Sequence, residues 1–485
     1  MRRSALTAAL IAAPLLAGDP QVLQLRTTLR AETLRLPGDE SLGLVGLSST
    51  ADFGLFYLGP GLYGAARGER GGLFTFGLEG GMRGRPFDGV PLEFDAGLFV
   101  GGGGGAAAPQ GGGLMLRPHA GVALALGRFR LGAELSRVRF PSGGIDSTQA
   151  AFSVAFTTDH LWSPMGALDG SFDGSVRWEG RGFEGEALKV DPAPGIHSRG
   201  GALQAPFDLA GFAISRELRS PFFRYFAVDG AARGGSSGYA QALTGLGLRA
   251  PIAGPLGLEA RLGAGLGGGG DVDTGGGFLV SGEAALTLGI GGWRASAGLG
   301  SLRATGGQLR SRTVTLRIAH RLSVPTPWKD GEALAAFTLA DWRAGSGLLV
   351  YRRAQRQDGT AGAIQVMTLR ADRMLAHGFY LSGEAGSATG GGAGGYSTGL
   401  AGLGWQTPAI AAQRFFLEAS AGAGGGGGLR SGGGLLTSTR AGWRVELPLG
   451  LGLDATAGKV RAPRGGLDTT TYGLGLHLRF AALER

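Results

Sequence analysis

The chain has 485 residues, of which 98 are glycine and none is cysteine. Glycine at a fifth of all positions is about three times its ordinary usage and disfavours helices, and the lack of cysteine excludes disulfides and thiolate metal sites. The net charge of +9 comes almost entirely from arginine. These arginines are dispersed along the chain instead of forming a basic patch with stacking aromatics, which argues against nucleic acid as a partner.

The N-terminus has the composition of a secretory signal peptide, predicted for residues 1–18. Two arginines precede an apolar stretch at 5–17 and a junction of small residues. A short buried helix is the alternative interpretation. No later apolar run is long enough for a membrane-spanning helix, so a chain that enters a membrane here would cross it as strands.

Alternation with a period of two predicts strands along the rest of the chain. Two strands are expected at 23–36 and 41–56. Six more segments then follow in the first third, at 54–66, 73–84, 92–100, 114–126, 129–140 and 147–156. The last two thirds show the same six segments, each group preceded by a longer lead with two strands, so that about 24 strands are predicted in all.

A glycine-rich stretch occurs three times, at 101–114, 267–278 and 424–435. The second glycines of its GGG triplets are Gly112, Gly276 and Gly433, which are 164 and 157 residues apart. This spacing predicts three internal repeats of about 160 residues. We place them at 19–160, 161–322 and 323–485.

The connections between the predicted strands alternate in character. Short turns follow strands four and six of each repeat, whereas longer glycine-laden loops follow strands three, five and seven. Tight turns at one end and long loops at the other are typical of an outer-membrane barrel. The sequence therefore predicts an all-β, antiparallel, up-and-down transmembrane barrel with the long loops on one rim.

Polar residues recur on one face of the predicted strands five and six, opposite small apolar residues. In a membrane barrel this face lines the lumen, and in a soluble sandwich it faces water; the signal peptide and the loop asymmetry favour the membrane barrel. The candidates for the lumen are Glu93, Glu259, Glu418, Arg117, His119, Glu283 and Arg440.

Three arginines, Arg139, Arg303 and Arg461, share the apolar parity of strand seven and stand next to the long loops. A charge at the bilayer midplane would cost about 2 to 4 kcal/mol, and much less near the interface, so these residues are expected at the rim. They are interpreted either as snorkelling side chains or as contacts to lipopolysaccharide phosphates.

Residues 472–480, YGLGLHLRF, form a glycine-containing strand of alternating apolar residues that ends in an aromatic. This segment resembles the C-terminal assembly signal of Gram-negative outer-membrane β-barrel proteins. The resemblance implies a cell outer-membrane location and recognition by the barrel-assembly machinery.

No catalytic or cofactor motif stands out. The six histidines lack metal-ligand spacing, and the glycine runs match neither a phosphate loop nor a dinucleotide fingerprint. Asp159 and His160 are adjacent on a predicted strand and should point in opposite directions. The chain is therefore not expected to be an enzyme, nor to hold a metal or cofactor.

Three questions stay open at the level of sequence. The repeats are expected to form a single closed barrel of about 24 strands, with three separate eight-stranded barrels as the rival. The expected function is a passive channel or export conduit; the alternatives are a non-conducting structural or assembly protein that binds lipopolysaccharide or a periplasmic partner, and a soluble glycine-rich adhesin. The glycine-rich stretches are expected to be mobile rim loops, or else segments that pack backbone to backbone.

Overall fold

The computed structural model describes residues 20–87, 89–164, 174–334 and 337–485. The predicted signal peptide lies outside these residues. The described chain consists of antiparallel strands joined by loops, with two short 3-10 turns, Ala376–Gly378 and Pro448–Gly450. No helix in the described part of the chain is long and apolar enough to cross a membrane.

Barrel I contains the first eight strands. Its last strand pairs with its first, from Gln21 opposite Trp162 to Glu32 opposite Ala151, so that the sheet closes on itself. The strands are β1 (Gln21–Arg35), β2 (Ser41–Phe53), β3 (Phe56–Arg67), β4 (Phe74–Gly84), β5 (Leu92–Gly104), β6 (Met115–Leu126), β7 (Phe129–Arg139) and β8 (Asp146–Pro164).

Barrel II closes in the same way through pairing of its first and last strands, from Ser311 opposite Pro192 to Pro327 opposite Val176. Its strands are β9 (Ser175–Pro192), β10 (Phe207–Glu217), β11 (Phe222–Arg233), β12 (Ala240–Ala253), β13 (Leu256–Gly268), β14 (Phe278–Ile290), β15 (Trp293–Ala304) and β16 (Arg310–Pro327). A two-residue strand, β17 (Glu332–Ala333), pairs with β9 beyond the barrel.

Barrel III closes between Thr338 opposite Glu484 and Tyr351 opposite Thr471. Its strands are β18 (Thr338–Gln355), β19 (Ala361–Met374), β20 (Phe379–Gly390), β21 (Ser397–Gln406), β22 (Gln413–Gly425), β23 (Leu435–Glu446), β24 (Leu451–Arg461) and β25 (Asp468–Glu484). The segment at 472–480 thus lies within the closing strand β25, which continues through Glu484.

The expectation of a single 24-stranded barrel is wrong. The neighbours of β1 are β2 and β8. Strand β25 pairs with β24 and β18 along most of its length, and with β8 only from Phe480 to Ala482. Eight tilted strands already enclose an interior that side chains can fill, so each group of eight closes without the others. The coarser prediction, an all-β antiparallel up-and-down barrel fold, is confirmed. Whether the three parts arose as internal repeats stays a prediction from the sequence.

The glycine-rich connections between the described strands lie on one rim, here called the glycine rim. It comprises the loops at 36–40, 68–73, 105–114, 140–145, 193–206, 234–239, 269–277, 305–309, 356–360, 391–396, 426–434 and 462–467. The opposite end, where the short turns lie, is called the turn rim. An even number of strands per barrel returns the chain to the turn rim after each barrel, which keeps the glycine loops together.

The outer surface of the barrels is apolar. Large apolar side chains point outward and are exposed on every barrel, as shown by Phe152 at 72%, Leu262 at 73% and Leu474 at 73% exposure. Inward positions instead carry buried charged side chains. A soluble sandwich would bury its apolar faces, so this arrangement decides between the two interpretations of the alternation: the apolar face is the one that meets lipid.

The three barrels interlock at the glycine rim through bare backbone. The glycine-rich stretch of barrel II packs on the β3–β4 loop of barrel I, that of barrel III on the β11–β12 loop of barrel II, and that of barrel I on the β20–β21 loop of barrel III. A cyclic arrangement with approximate threefold character results. Gly71 N donates to Gly275 O at 2.8 Å, and the hydroxyls of Ser237 and Ser431 lie 2.7 Å apart.

The GGG triplets show why glycine is required at this junction. A Cβ added at the second glycine would lie 2.7 Å from Cα of Arg67 for Gly276, 2.9 Å from Cα of Gly390 for Gly112, and 3.1 Å from Cα of Arg233 for Gly433. The third glycines have φ of +97° to +99°, a conformation that other residues rarely adopt. The alternative of backbone-to-backbone packing therefore describes these stretches, and the expectation of mobile loops is wrong.

At the turn rim, the long strands that begin and end the barrels meet. Residues 162–164 of β8 pair with Phe480 to Ala482 of β25, and Leu161, Val176 and Leu483 form a buried apolar cluster. All seven tryptophans lie at this end of their strands or next to it: Trp162, Trp178, Trp293, Trp328, Trp342, Trp405 and Trp443. The barrels are therefore joined at both rims.

Candidate functional site: the lumens and the glycine rim

The middle of barrel I is filled by a network of ion pairs. Arg30 contacts Glu79 at 2.7 Å and Glu134 at 2.9 Å. Arg117, which is fully buried, contacts Glu32 at 2.8 Å and Glu134 at 2.7 Å. Alternation along β1 places its charged residues inside, because Arg30 and Glu32 have the same parity. The network joins strands across the lumen instead of lining an open path.

Barrel II carries an equivalent layer of ion pairs in its lumen. Arg261 bridges Glu184 and Glu259, each at 2.6 Å. Arg317 bridges Glu186 at 2.7 Å and Glu283 at 2.5 Å. The guanidinium fork suits two carboxylates at once, which explains why arginine and not lysine occupies these positions.

Barrel III repeats the pattern with its own residues. Arg440 contacts Glu384 at 2.7 Å and Glu418 at 2.8 Å, and Arg370 pairs with Glu418 and with Asp372. Towards the turn rim, Arg444 contacts Asp454 at 2.6 Å. Each lumen thus has a charged layer in which arginines and carboxylates neutralise one another.

The structure places all seven candidate polar residues inside the barrels. Glu93, Glu259, Glu418 and Arg117 are buried in the ion-pair layers. His119 is buried in barrel I, 3.1 Å from Asp95 and 3.3 Å from the Tyr57 hydroxyl. Glu283 and Arg440 are partly buried partners in the layers of barrels II and III.

Between this layer and the glycine rim, each lumen is filled by apolar and aromatic side chains. These buried clusters include Leu34, Tyr63, Phe99, Met115 and Val138 in barrel I, Phe207, Tyr239, Leu279 and Leu302 in barrel II, and Tyr351, Ile364, Tyr396 and Leu436 in barrel III. We call each cluster the apolar plug of its barrel. Each described lumen is therefore blocked at two levels, first by the plug and then by the ion pairs.

A small cavity remains in the lumen of barrel III. Its volume is about 40 Å³, and it is lined by charged residues that include Arg370, Asp372, Glu384 and Arg444. A water molecule needs about 10 to 15 Å³ of such volume. The cavity can hold a few waters, but it is too small for an organic solute.

The three rim arginines are exposed near the glycine rim on the outer surface, and their partners differ. Arg139 lies opposite Asp146, and Arg461 lies opposite Asp468; the shortest N–O distances are 3.9 Å and 3.1 Å. Arg303 instead lies opposite Arg310. The three arginines share one sequence pattern, but their cross-strand partners differ in charge.

A further polar contact ties the glycine-rim loops of barrel I together. Arg70 donates to both carboxylate oxygens of Glu40, at 2.8 and 2.6 Å, and to the carbonyl oxygens of Ala106 and Ala107. The Arg70 guanidinium, by hydrogen bonding, holds the pKa of the Glu40 carboxyl below its usual value. This one side chain connects the loops at 36–40, 68–73 and 105–114.

The adjacent pair Asp159 and His160 separates as expected for neighbours on a strand. Asp159 contacts Arg128 at 2.8 Å, whereas His160 accepts a hydrogen bond from Arg181 of barrel II at 2.8 Å. Within the described residues, no group of three or more potential ligands could hold a metal ion. The arrangement offers no catalytic dyad at this position.

Closed antiparallel barrels with an apolar exterior and a charged interior place their polar groups away from lipid. The fold is that of an outer-membrane β-barrel protein. This confirms, at the level of the fold, the class that residues 472–480 indicate. As in that class, neighbouring strands are antiparallel, and sequential strands pair with each other around each barrel.

Comparisons with known proteins do not identify a family for this outer-membrane barrel. No protein-family model matches the chain, and a search of curated proteins finds no match. Among solved structures, OccAB3 of Acinetobacter baumannii is 12% identical, with 96% of this chain and 100% of that chain covered, at a TM-score of 0.21. OccK2 (OpdF) of Pseudomonas aeruginosa in complex with glucuronate is 11% identical, with 96% and 98% covered, at 0.22.

The outer membrane protein opdK of Pseudomonas aeruginosa is 10% identical, with 95% of this chain and 99% of that chain covered, at a TM-score of 0.22. Likeness at this level carries no argument about architecture or function. The pairing of the strands decides the architecture, and the lumens and rims must carry any functional proposal.

Proposed function

We propose that the chain is a non-conducting outer-membrane protein, a structural or assembly component that acts through its rims and outer surface. One observation carries this proposal: each described lumen is filled at two levels, by an apolar plug near the glycine rim and by an ion-pair layer in its middle. The wide lumen on which the channel expectation depended would require a single large barrel. Eight-stranded barrels of this kind have interiors that side chains fill.

Three features support an outer-membrane location and an orientation. The exposed apolar surface fits lipid, and the tryptophans at the turn rim fit one membrane interface. Exposed cations, including Arg137, Arg139, Arg303 and Arg461, gather near the glycine rim. We infer that the glycine rim faces the cell exterior, where lipopolysaccharide presents phosphates, and that the barrel-assembly machinery reads residues 472–480.

A passive channel is the second candidate, because the small charged cavity of barrel III lies in line with its lumen. Rearrangement of the ion pairs around Arg370 and Arg440 would open a narrow path for water or small ions. This function would differ from a wide pore in having a low conductance and strong dependence on the charge of those residues.

Conductance of the purified full chain in a planar bilayer tests the proposal. The wild type is expected to give no conductance steps. A variant with Tyr351→Ala, Tyr396→Ala and Arg440→Ala, shown to be folded by its resistance to SDS at room temperature, serves as the opened control and should give steps. Steps from the wild type that disappear in Arg370→Gln would establish the channel and overturn the non-conducting proposal.

A further inference from the structure

The outer surface of barrel II carries a cationic cluster in which two arginines lie directly opposite each other, an arrangement that the equivalent strand pairs of barrels I and III lack. It consists of Arg303 on β15 with Arg310 and Arg312 on β16, all exposed near the glycine rim. Arg303 lies directly opposite Arg310 in the β15–β16 register. Like charges in directly opposite positions of an antiparallel pair are destabilising. The cluster therefore favours the binding of an anion that offsets this repulsion.

The other two barrels provide an internal comparison. At the position equivalent to Arg310, barrel I has Asp146 and barrel III has Asp468. Asp146 contacts Arg137 at 2.7 Å, and Asp468 contacts Lys459 at 2.8 Å. Barrel II reverses the charge at this position. Where barrel II has Arg312, the other two barrels have the uncharged Thr148 and Thr470, and where barrel II has Asp191 they have Arg35 and Arg352. The barrels thus differ in where the acidic residue stands, and of the three equivalent strand pairs only that of barrel II sets arginine opposite arginine.

The groups around the cluster leave it cationic. Asp191 of β9 lies opposite Arg312, and Lys189 lies opposite Val314, two residues further along each strand. Among the described residues, no ion pair within 4.0 Å involves Arg303, Arg310 or Arg312. Three guanidinium groups thus face one nearby carboxylate on an otherwise apolar surface that includes Val314 and Leu316.

The position and chemistry of the cluster identify the kind of ligand. Guanidinium groups bind phosphate oxygens through paired, charge-assisted hydrogen bonds. The cluster lies where the apolar surface ends, so a phosphate attached to an acyl chain could place its chain on Leu316 and its headgroup on the arginines. We propose that Arg303, Arg310 and Arg312 bind the phosphate group of a phosphorylated membrane glycolipid. This inference rests on the outer-membrane location proposed above.

The test uses the full chain, folded into neutral phosphatidylcholine vesicles, with binding of phosphorylated lipid A, dephosphorylated lipid A and inorganic phosphate measured separately. The variant Arg310→Asp copies the pair found in barrels I and III, so it should fold. It is expected to weaken binding of phosphorylated lipid A by about tenfold or more, since charge-assisted hydrogen bonds are lost. The matched control, Arg139→Gln in barrel I, should leave this binding unchanged.

Two further outcomes decide the ligand. Equal binding by the wild type and Arg310→Asp would overturn the site, and binding of inorganic phosphate as tight as that of the lipid would overturn the lipid as its source. Without lipid, Arg310→Asp should raise the melting temperature, because it replaces a like-charge pair; a lower melting temperature would also contradict the proposal. Insertion of the wild type into vesicles is measured first, before any binding. Failure to insert would refute the proposed membrane location and not the binding site.

Discussion

Gly276 of barrel II lies so close to Arg67 of barrel I that a Cβ on the glycine would be 2.7 Å from the arginine Cα. The two residues are 209 positions apart in the sequence, yet their backbones are in direct contact. Equivalent contacts join the other two pairs of barrels. The glycine-rich stretches therefore act as the junctions of a single-chain assembly of three barrels.

Replacing Gly276 with alanine should destabilise this junction. The backbone at Gly276 does not need a positive φ, so the effect is purely the clash of the new methyl group with the backbone of barrel I. We expect a loss of about 1 to 3 kcal/mol, as for other overpacked sites, measured by urea unfolding in detergent micelles. The matched control is Gly235→Ala in the β11–β12 loop, where a Cβ would have nothing within 4 Å. Equal stability of the two variants would contradict the interlocked rim.

Removing one member of a lumen ion pair should be costly. Arg117→Met leaves the buried Glu32 and Glu134 without their 2.8 and 2.7 Å partner, and loss of one partner of a buried pair costs about 3 to 5 kcal/mol. The same urea titration measures the effect. Arg85→Met, at an exposed position in the β4–β5 loop, should change stability by less than about 0.5 kcal/mol. Similar values for both variants would mean that the lumen is open to water.

Acid should loosen the loops that Arg70 connects. Because the folded-state pKa of Glu40 lies below its usual value, this contact contributes stability above the usual pKa of glutamate, and the contribution is lost as the pH falls through the folded-state value. Protonation of Glu40 removes the ion pair while Arg70 keeps its carbonyl partners. Hydrogen exchange at 105–110 should therefore increase at acid pH, beyond the intrinsic effect of pH. Glu40→Gln should show the faster exchange at neutral pH already, and an unchanged pattern in that variant would contradict the account.

Most of the local structure could be predicted from the sequence, because alternation and turn residues act over short distances. The faces of β5, including Glu93 inside and Leu98 outside, follow from the period of two. The loops collect on one rim as expected from an even number of strands. The closure of each barrel could not be predicted in this way, since alternation fixes the face of a residue but not the partner of its strand. Nothing in β1 specifies β8 over β25.

The lumen site was predicted in part. The recurrence of Glu93, Glu259 and Glu418 pointed to polar interior positions, and Arg440, which contacts Glu418, was among the candidates. Other arginines that bind these residues, including Arg26, Arg261 and Arg370, were missed. Arg30 shares its parity with Glu32, and that signal was available in the sequence; Arg370 and Arg317 lie on other strands, and only the folded barrel brings them to their carboxylates. The difference between Arg303 and the other rim arginines depends on the register with Arg310, which the sequence does not give.

Self-closure of barrel I tests the central claim most directly, and the absence of cysteine from the sequence allows a clean measurement. Leu29 of β1 lies opposite Val154 of β8, both on the exposed outer face, where Cβ atoms of opposite residues are about 4.5 to 5.5 Å apart. The pair Leu29→Cys with Val154→Cys should form a disulfide under mild oxidation, and Leu29→Cys with Leu474→Cys of β25 should not. Efficient cross-linking of the second pair, with none in the first, would contradict three closed barrels and restore a single large one.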